Sequence, residues 1–163
     1  GESAPVDRDH ALAELARRYL IGHAPADERD LAKWSGLPLR DVRVGLSAIA
    51  SQLTEREDGL LELTGREPPA ALPPPRLLGS FDPVLLGWRS RESILGAHQV
   101  VVTVNGLFRP FALIRGRAVA TWRMRGGEIE LEPFARLGRE DRAALADDAE
   151  DVVRFLAGGQ RSP

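Results

Sequence analysis

The chain has 163 residues, 43% apolar and 28% charged, with a formal net charge of −2 and no cysteine. That length holds one domain or two small ones with cores of their own. Disulfide frameworks, thiol nucleophiles and Cys-ligated zinc are excluded, and no apolar run reaches the roughly 18 residues of a membrane-spanning helix.

Asp9 stands where it can cap a first helix, whose apolar face is Leu12, Leu15, Ala16, Tyr19 and Leu20 and whose stop is Gly22. In the stretch APADERDLAKWSG, Asp27 and Asp30 have capping-box spacing ahead of a second helix that turns Leu31 and Trp34 the same way. Gly36 permits a left-handed turn, and Pro38 suits the start of a third helix that buries Leu39, Val42, Leu46, Ile49 and Leu53. The opposite face of that helix carries Arg40, Arg43, Ser47 and Ser51. Asp58-Gly59 then predicts a hairpin inside TEREDGLLEL. Helix, helix, helix, hairpin is the order of a winged helix-turn-helix, expected over residues 8–65.

Five prolines among residues 66–76 rule out a helix interior or a central strand. This segment is predicted to be a stiff extended linker between domains. Asp82-Pro83 begins a short helix. Asn105-Gly106, Arg115-Gly116 and Gly126-Gly127 then separate four β-rich runs, QVVVTV, LFRPFALI, RAVATWRM(R) and EIELEPF. Two-residue turns between such runs predict an antiparallel meander, either an open sheet or a small barrel, over residues 77–158. Pro110 puts the start of the second run at an edge or a bulge. A final helix with the stripe Leu145, Ala149, Val152 and Leu156 closes the domain, with Glu140 and Asp141 at its start and Gly158-Gly159 as its stop. The fold class is α+β.

Charge is uneven along the chain. Residues 1–65 hold 8 basic and 12 acidic side chains, residues 66–136 hold 10 and 6, and residues 137–163 hold 4 and 6. DNA affinity rests on neutralising phosphates, and a reading helix adds contacts to base edges. The DNA-facing candidates are Lys33, Arg40, Arg43, Ser47 and Arg56. Asp41, Glu55, Glu57 and Asp58 oppose them, so at most about four phosphates are addressed and binding by this unit alone is expected to be weak and backbone-directed. In the sheet, the Gly126-Gly127 turn sets Arg125 opposite Glu128, Arg123 opposite Glu130 and Thr121 opposite Glu132, which accounts for two arginines by cross-strand pairing. Arg109, Arg115 and Arg117 have no such partner and are secondary candidates for backbone contacts.

His10, His23 and His98 follow no metal-ligand spacing, so no metal and no cofactor is expected. No nucleophile elbow, phosphate loop or dinucleotide fingerprint is present, and no catalytic residue is assigned. Asp147, Asp148, Glu150 and Asp151 crowd one helix as a solvated face, and Asp82 reads as a cap. Trp34 and Trp122 fall on apolar faces.

The phrases FDPVLLGWRSR, NGLFRPFALIRGRAVATWR and LEPFARL, with RDLAKWSGLPLRDVRVGL before them, resemble the C-terminal half of the bacterial winged-helix DNA-binding-domain family, over about residues 10–157. That resemblance implies a tandem winged-helix parent ending in a small β-barrel, and some members are DNA glycosylases that unhook alkylated interstrand crosslinks. It also implies N-terminal winged-helix modules as partners within the parent chain. Glycosylase members carry a Gln-x-Gln or Gln-x-Asp motif. Here Gln52, Gln99 and Gln160 are followed two positions later by Thr54, Val101 and Ser162, so no catalytic residue carries over. The expectation is a non-catalytic, DNA-binding C-terminal fragment: either the active site lies in the N-terminal half of a repair-glycosylase parent, or this member has none. The alternative is a protein-interaction or structural module whose winged helix does not bind DNA. One lysine beside 21 arginines fits a GC-rich bacterial coding sequence, and the N-terminal residues lack a signal-peptide pattern. Bacterial cytoplasm is the expected compartment.

Overall fold

The computed structural model describes residues 7–67, 71–103 and 105–159. The chain divides into two compact units, Gly1–Pro68 with Leu86–Arg89, and Pro69–Leu85 with Ser90–Pro163. The return of Leu86–Arg89 to the first unit has no counterpart in the sequence reading. Residues 68–70 of the proline-rich segment lie outside the described residues.

The first unit opens with α1 (Arg8–His23), α2 (Glu28–Ser35) and α3 (Leu39–Ala48). Asp7, rather than Asp9, caps α1 by accepting from the Asp9 amide. Gly22 does not stop this helix, which runs on to His23 and ends at Ala24. The Asp27/Asp30 capping box is formed in both directions, and Gly36 ends α2 in the left-handed region at φ 72°. Ala16, Tyr19 and Leu20 of α1 pack with Leu31, Val42, Leu46 and Ile49 as one core. Gly45 lies where α3 passes closest to α1: a Cβ there would overlap the Leu12 carbonyl oxygen and stand 2.8 Å from its carbon. After a 3₁₀ turn at Ala50–Gln52, β1 (Leu53–Glu55) pairs antiparallel with β2 (Leu61–Leu63). Ala26 adds an isolated antiparallel bridge to Leu61.

The second unit is built on a four-stranded antiparallel sheet: β3 (Arg76–Leu78), β4 (Phe111–Ile114), β5 (Arg117–Arg125) and β6 (Glu128–Pro133), paired in that order. The expected barrel is not formed. Among the described residues β3 and β6 pair with nothing beyond β4 and β5, so the sheet is open at both ends. QVVVTV is not a strand either. Gln99–Val101 is a 3₁₀ turn, and Val102 makes only an isolated bridge to Phe108, while Val104 lies outside the described residues. Arg76, placed by sequence in the linker, instead opens β3, which takes the edge of β4. Pro110 precedes β4, and the register slips between Ala112 and Leu113.

The β5–β6 hairpin has the register that its Gly-Gly turn dictates: Arg125 with Glu128, Met124 with Ile129, Arg123 with Glu130, Trp122 with Leu131 and Thr121 with Glu132. Both turn glycines have positive φ, 61° and 87°, which suits a type I′ turn. Thr121, expected on an open face, is buried. The short helix α4 (Glu92–Leu95) packs against β5.

Helix α5 (Arg139–Gly159) packs on β3 and β6. Leu145 is fully buried in the cluster with Leu77, Ala112, Ile114 and Ala120, and Ala149 and Val152 join it. Leu156 is exposed. Asp148 departs from its expected solvated role. It is buried, accepting the Leu77 amide at 2.6 Å and Arg76 Nη1 at 3.1 Å. Asp148→Ala would orphan a buried N–H, so urea unfolding is expected to show a loss of about 2 kcal/mol. A loss under about 0.5 kcal/mol, the size of an ordinary surface change, would refute this role.

Candidate nucleic-acid interface

The turn between α2 and α3 sets the outward face of α3. Arg40, Arg43 and Ser47 are all exposed, as the apolar spacing of the helix requires. Their charges are not equally available. Arg43 makes a two-pronged ion pair with Glu28 of α2, at 2.8 Å and 2.6 Å. This hydrogen bonding holds the Glu28 carboxyl below its ordinary range and raises Arg43 above its own. Arg40 is 84% exposed and stands 3.7 Å from Asp41, whose other oxygen accepts from Arg8 at 2.7 Å. Arg56, in the β1–β2 loop, lies between Asp58 at 3.4 Å and Glu62 at 3.8 Å. Lys33 is exposed and makes no ion pair among the described residues.

A shallow depression of about 340 Å³ runs between α3 and the β1–β2 loop. Asp27, Glu28 and Glu55 line it beside Arg43. Phosphates are therefore repelled where α3 meets the hairpin. Lys33 on α2 has no ion pair among the described residues, and Arg40 at the start of α3 has only Asp41, which it shares with Arg8. Arg29 belongs with them, being exposed and one helical turn before Lys33 with no ion pair among the described residues. The sequence reading missed it, although its spacing of four from Lys33 was the available signal.

In the second unit, Arg115 is not free as expected. It pairs with Asp141 of α5 at 3.2 Å and 3.3 Å. Arg123 pairs with Glu130 and Glu132. Arg109 and Arg117 are exposed without an ion pair among the described residues. Arg109 and Arg91 line a groove of about 1020 Å³. Trp34 is 42% exposed despite its contacts with Tyr19 and His23, and Trp122 donates to the Leu78 carbonyl. No group of three or more side chains able to hold a metal occurs among the described residues, and no helix there is long and apolar enough to cross a membrane.

Together these elements define an α+β protein of helices and antiparallel sheets, with cations on the surface of its second and third helices. The chain belongs to the AlkZ-like DNA glycosylase family, which it matches over residues 2–155. Among solved structures it is similar to the DNA glycosylase AlkZ of Streptomyces sahachiroi, at 24% identity and a TM-score of 0.77. That match covers 93% of this chain and 44% of the other, so the chain spans less than half the length of that enzyme. No curated protein matches the chain.

Proposed function

We propose that the chain is the C-terminal, DNA-holding part of a DNA-repair glycosylase. Its three helices and hairpin act as a winged helix on duplex DNA, beside winged-helix modules supplied by the rest of the parent, in the bacterial cytoplasm. Family membership over residues 2–155 carries this reading. Excision of the base is assigned to the remainder of the parent, because none of Gln52, Gln99 and Gln160 opens a Gln-x-Gln or Gln-x-Asp motif. Duplex contact is backbone-directed, led by Lys33 and Arg40 with Arg29 beside them. Ser47 and Arg56 are peripheral, and Arg109 and Arg117 are secondary contacts.

Arg43 is a reserve cation in this scheme. Glu28 neutralises it, and a phosphate must compete with that carboxylate. An exposed pair of this kind contributes little to stability, so Glu28→Ala costs little fold stability and frees one guanidinium. Fluorescence anisotropy with a short duplex, titrated between low and moderate salt, should show two- to tenfold tighter binding for Glu28→Ala, by rough estimate, and a salt slope steeper by about one. The Lys33→Ala/Arg40→Ala pair should weaken binding about tenfold and flatten the slope by about two. Wild-type behaviour in both variants would remove the α2–α3 face from the reading.

A second reading is favoured by the carboxylates around Arg43: the first unit docks a protein instead of DNA. It predicts no salt-dependent duplex binding at all.

A further inference from the structure

Phe81 has a backbone that its side chain does not favour. Its φ is 60°, in the left-handed region that a bulky residue rarely adopts. Such a conformation is strained and persists only where its surroundings impose it. The turn directly after Phe81 is pinned by Asp82, whose carboxylate accepts the Val84 amide at 3.0 Å and whose carbonyl accepts the Leu85 amide at 3.0 Å. The strain does not serve to bury the ring, because Phe81 is 51% exposed.

The covered part of the ring rests on Phe108, at 4.9 Å between centroids and a tilt of 38°. The Arg91 guanidinium also stands over Phe108, 5.1 Å from its centroid, and its Nε is tied to the Leu85 carbonyl at 2.8 Å. The exposed aromatic thus has a rigid support. Arg91 also lines the groove of about 1020 Å³ described above, together with Arg109, the residue after Phe108. Val100 and Leu107, which are exposed, add apolar surface in the same region. Arg91 and Arg109 make no ion pair among the described residues, and Glu92 is the one carboxylate lining the groove beside them. A supported, half-open aromatic ring beside such guanidinium groups is the combination that holds single-stranded nucleic acid, with bases stacked on the ring and phosphates meeting the cations.

From this geometry we propose that the second unit carries a stacking site for an unpaired nucleobase, with Phe81 as the platform, Phe108 and Arg91 as its support, and Arg109 as the contact to an adjoining phosphate. This stacking site does not depend on the duplex face on α2 and α3. An aromatic side chain of a protein partner is the competing occupant, and it would leave the nucleic-acid signal at zero.

The test uses the whole chain and a short thymine-rich single strand with one central 2-aminopurine. A second strand, of equal length and charge, has an abasic spacer at that position. Phe81→Gly is the informative variant, because glycine is at ease at φ 60° and the strain is relieved rather than increased. Wild type should quench the 2-aminopurine on binding and prefer the base-bearing strand about tenfold over the spacer. Phe81→Gly should lose both the quench and the preference while its melting temperature is unchanged or raised. Phe81→Trp should keep both. Arg109→Ala should weaken both strands alike. Equal binding of the two strands by wild type, an undiminished preference in Phe81→Gly, no single-strand binding at low salt, or a fall in the Phe81→Gly melting temperature would each overturn the proposal. The last would show that the ring serves packing. Loss of duplex binding in the Lys33→Ala/Arg40→Ala pair leaves this readout unchanged.

Discussion

Gly45→Ala should lower the stability of the chain by about 3 kcal/mol, within the range for overpacking. In an open helix the same change gains roughly 0.5–1 kcal/mol, because glycine gives up more backbone freedom on folding. The sign reverses here because the new methyl meets the backbone of α1, namely the Leu12 carbonyl oxygen and its carbon at 2.8 Å. A side chain could rotate aside, but a helical carbonyl cannot. Relief therefore requires α1 to shift away from α3, and those helices share the core of Ala16, Tyr19, Leu20, Val42 and Leu46. Gly22→Ala is the matched control, since nothing lies within 4 Å of its added Cβ. Urea unfolding should move the midpoint down for Gly45→Ala and slightly up for Gly22→Ala at unchanged slope. Equal shifts in the two variants would mean that the close approach of α1 and α3 is absent in solution.

Asp30→Ala has an expected effect of similar size, a loss of about 2–4 kcal/mol from two causes. Asp30 is only 8% exposed. One oxygen accepts the Asp27 amide at 3.1 Å and so completes the α2 capping box. The other accepts the Arg89 amide at 2.9 Å and ties Leu86–Arg89 to the first unit. The same segment is held by Tyr19, whose hydroxyl donates to the Gly87 carbonyl at 2.7 Å, and by Trp88, whose indole donates to the His23 carbonyl at 2.9 Å. A Cβ on Gly87 would run into the His23 ring, which would have to shift to admit it. Asp27→Ala removes the cap bond from the Asp30 amide and the exposed 3.5 Å contact with Arg89 Nη2 but leaves the Arg89 amide bonded to Asp30, and it should cost about 1 kcal/mol. The excess for Asp30→Ala measures the tie to Arg89, and hydrogen exchange should show the Arg89 amide protected in wild type and in Asp27→Ala but not in Asp30→Ala. Protection surviving in Asp30→Ala would show that Tyr19 and Trp88 hold the segment without it.

Local signals carried far where one residue type dictates one geometry. Gly36 marks the left-handed end of α2, Asp27 and Asp30 are reciprocal caps, and Gly126-Gly127 sets every partner along β5 and β6. Elements failed where a choice between partners was needed. Val100 to Thr103 has strong β-propensity, yet the edge of β4 was taken by Arg76–Leu78, whose Leu77 amide is also claimed by Asp148 across 71 residues. Propensity describes fit to a pleated surface and does not say which segment reaches it.

The candidate face divides in the same way. Helical spacing alone placed Arg40, Arg43 and Ser47 outward, since the apolar residues of α3 leave them no other side. Whether each cation is available was decided by residues distant in sequence: Glu28 neutralises Arg43 from another helix, Asp141 holds Arg115, and Lys33 and Arg29 remain unpaired among the described residues. Periodicity within one element determined direction, because backbone geometry repeats. Charge pairing, the open sheet, the α1–α3 approach at Gly45 and the strained exposure of Phe81 were decided by tertiary structure, because each depends on which groups of separate elements come within a few ångströms.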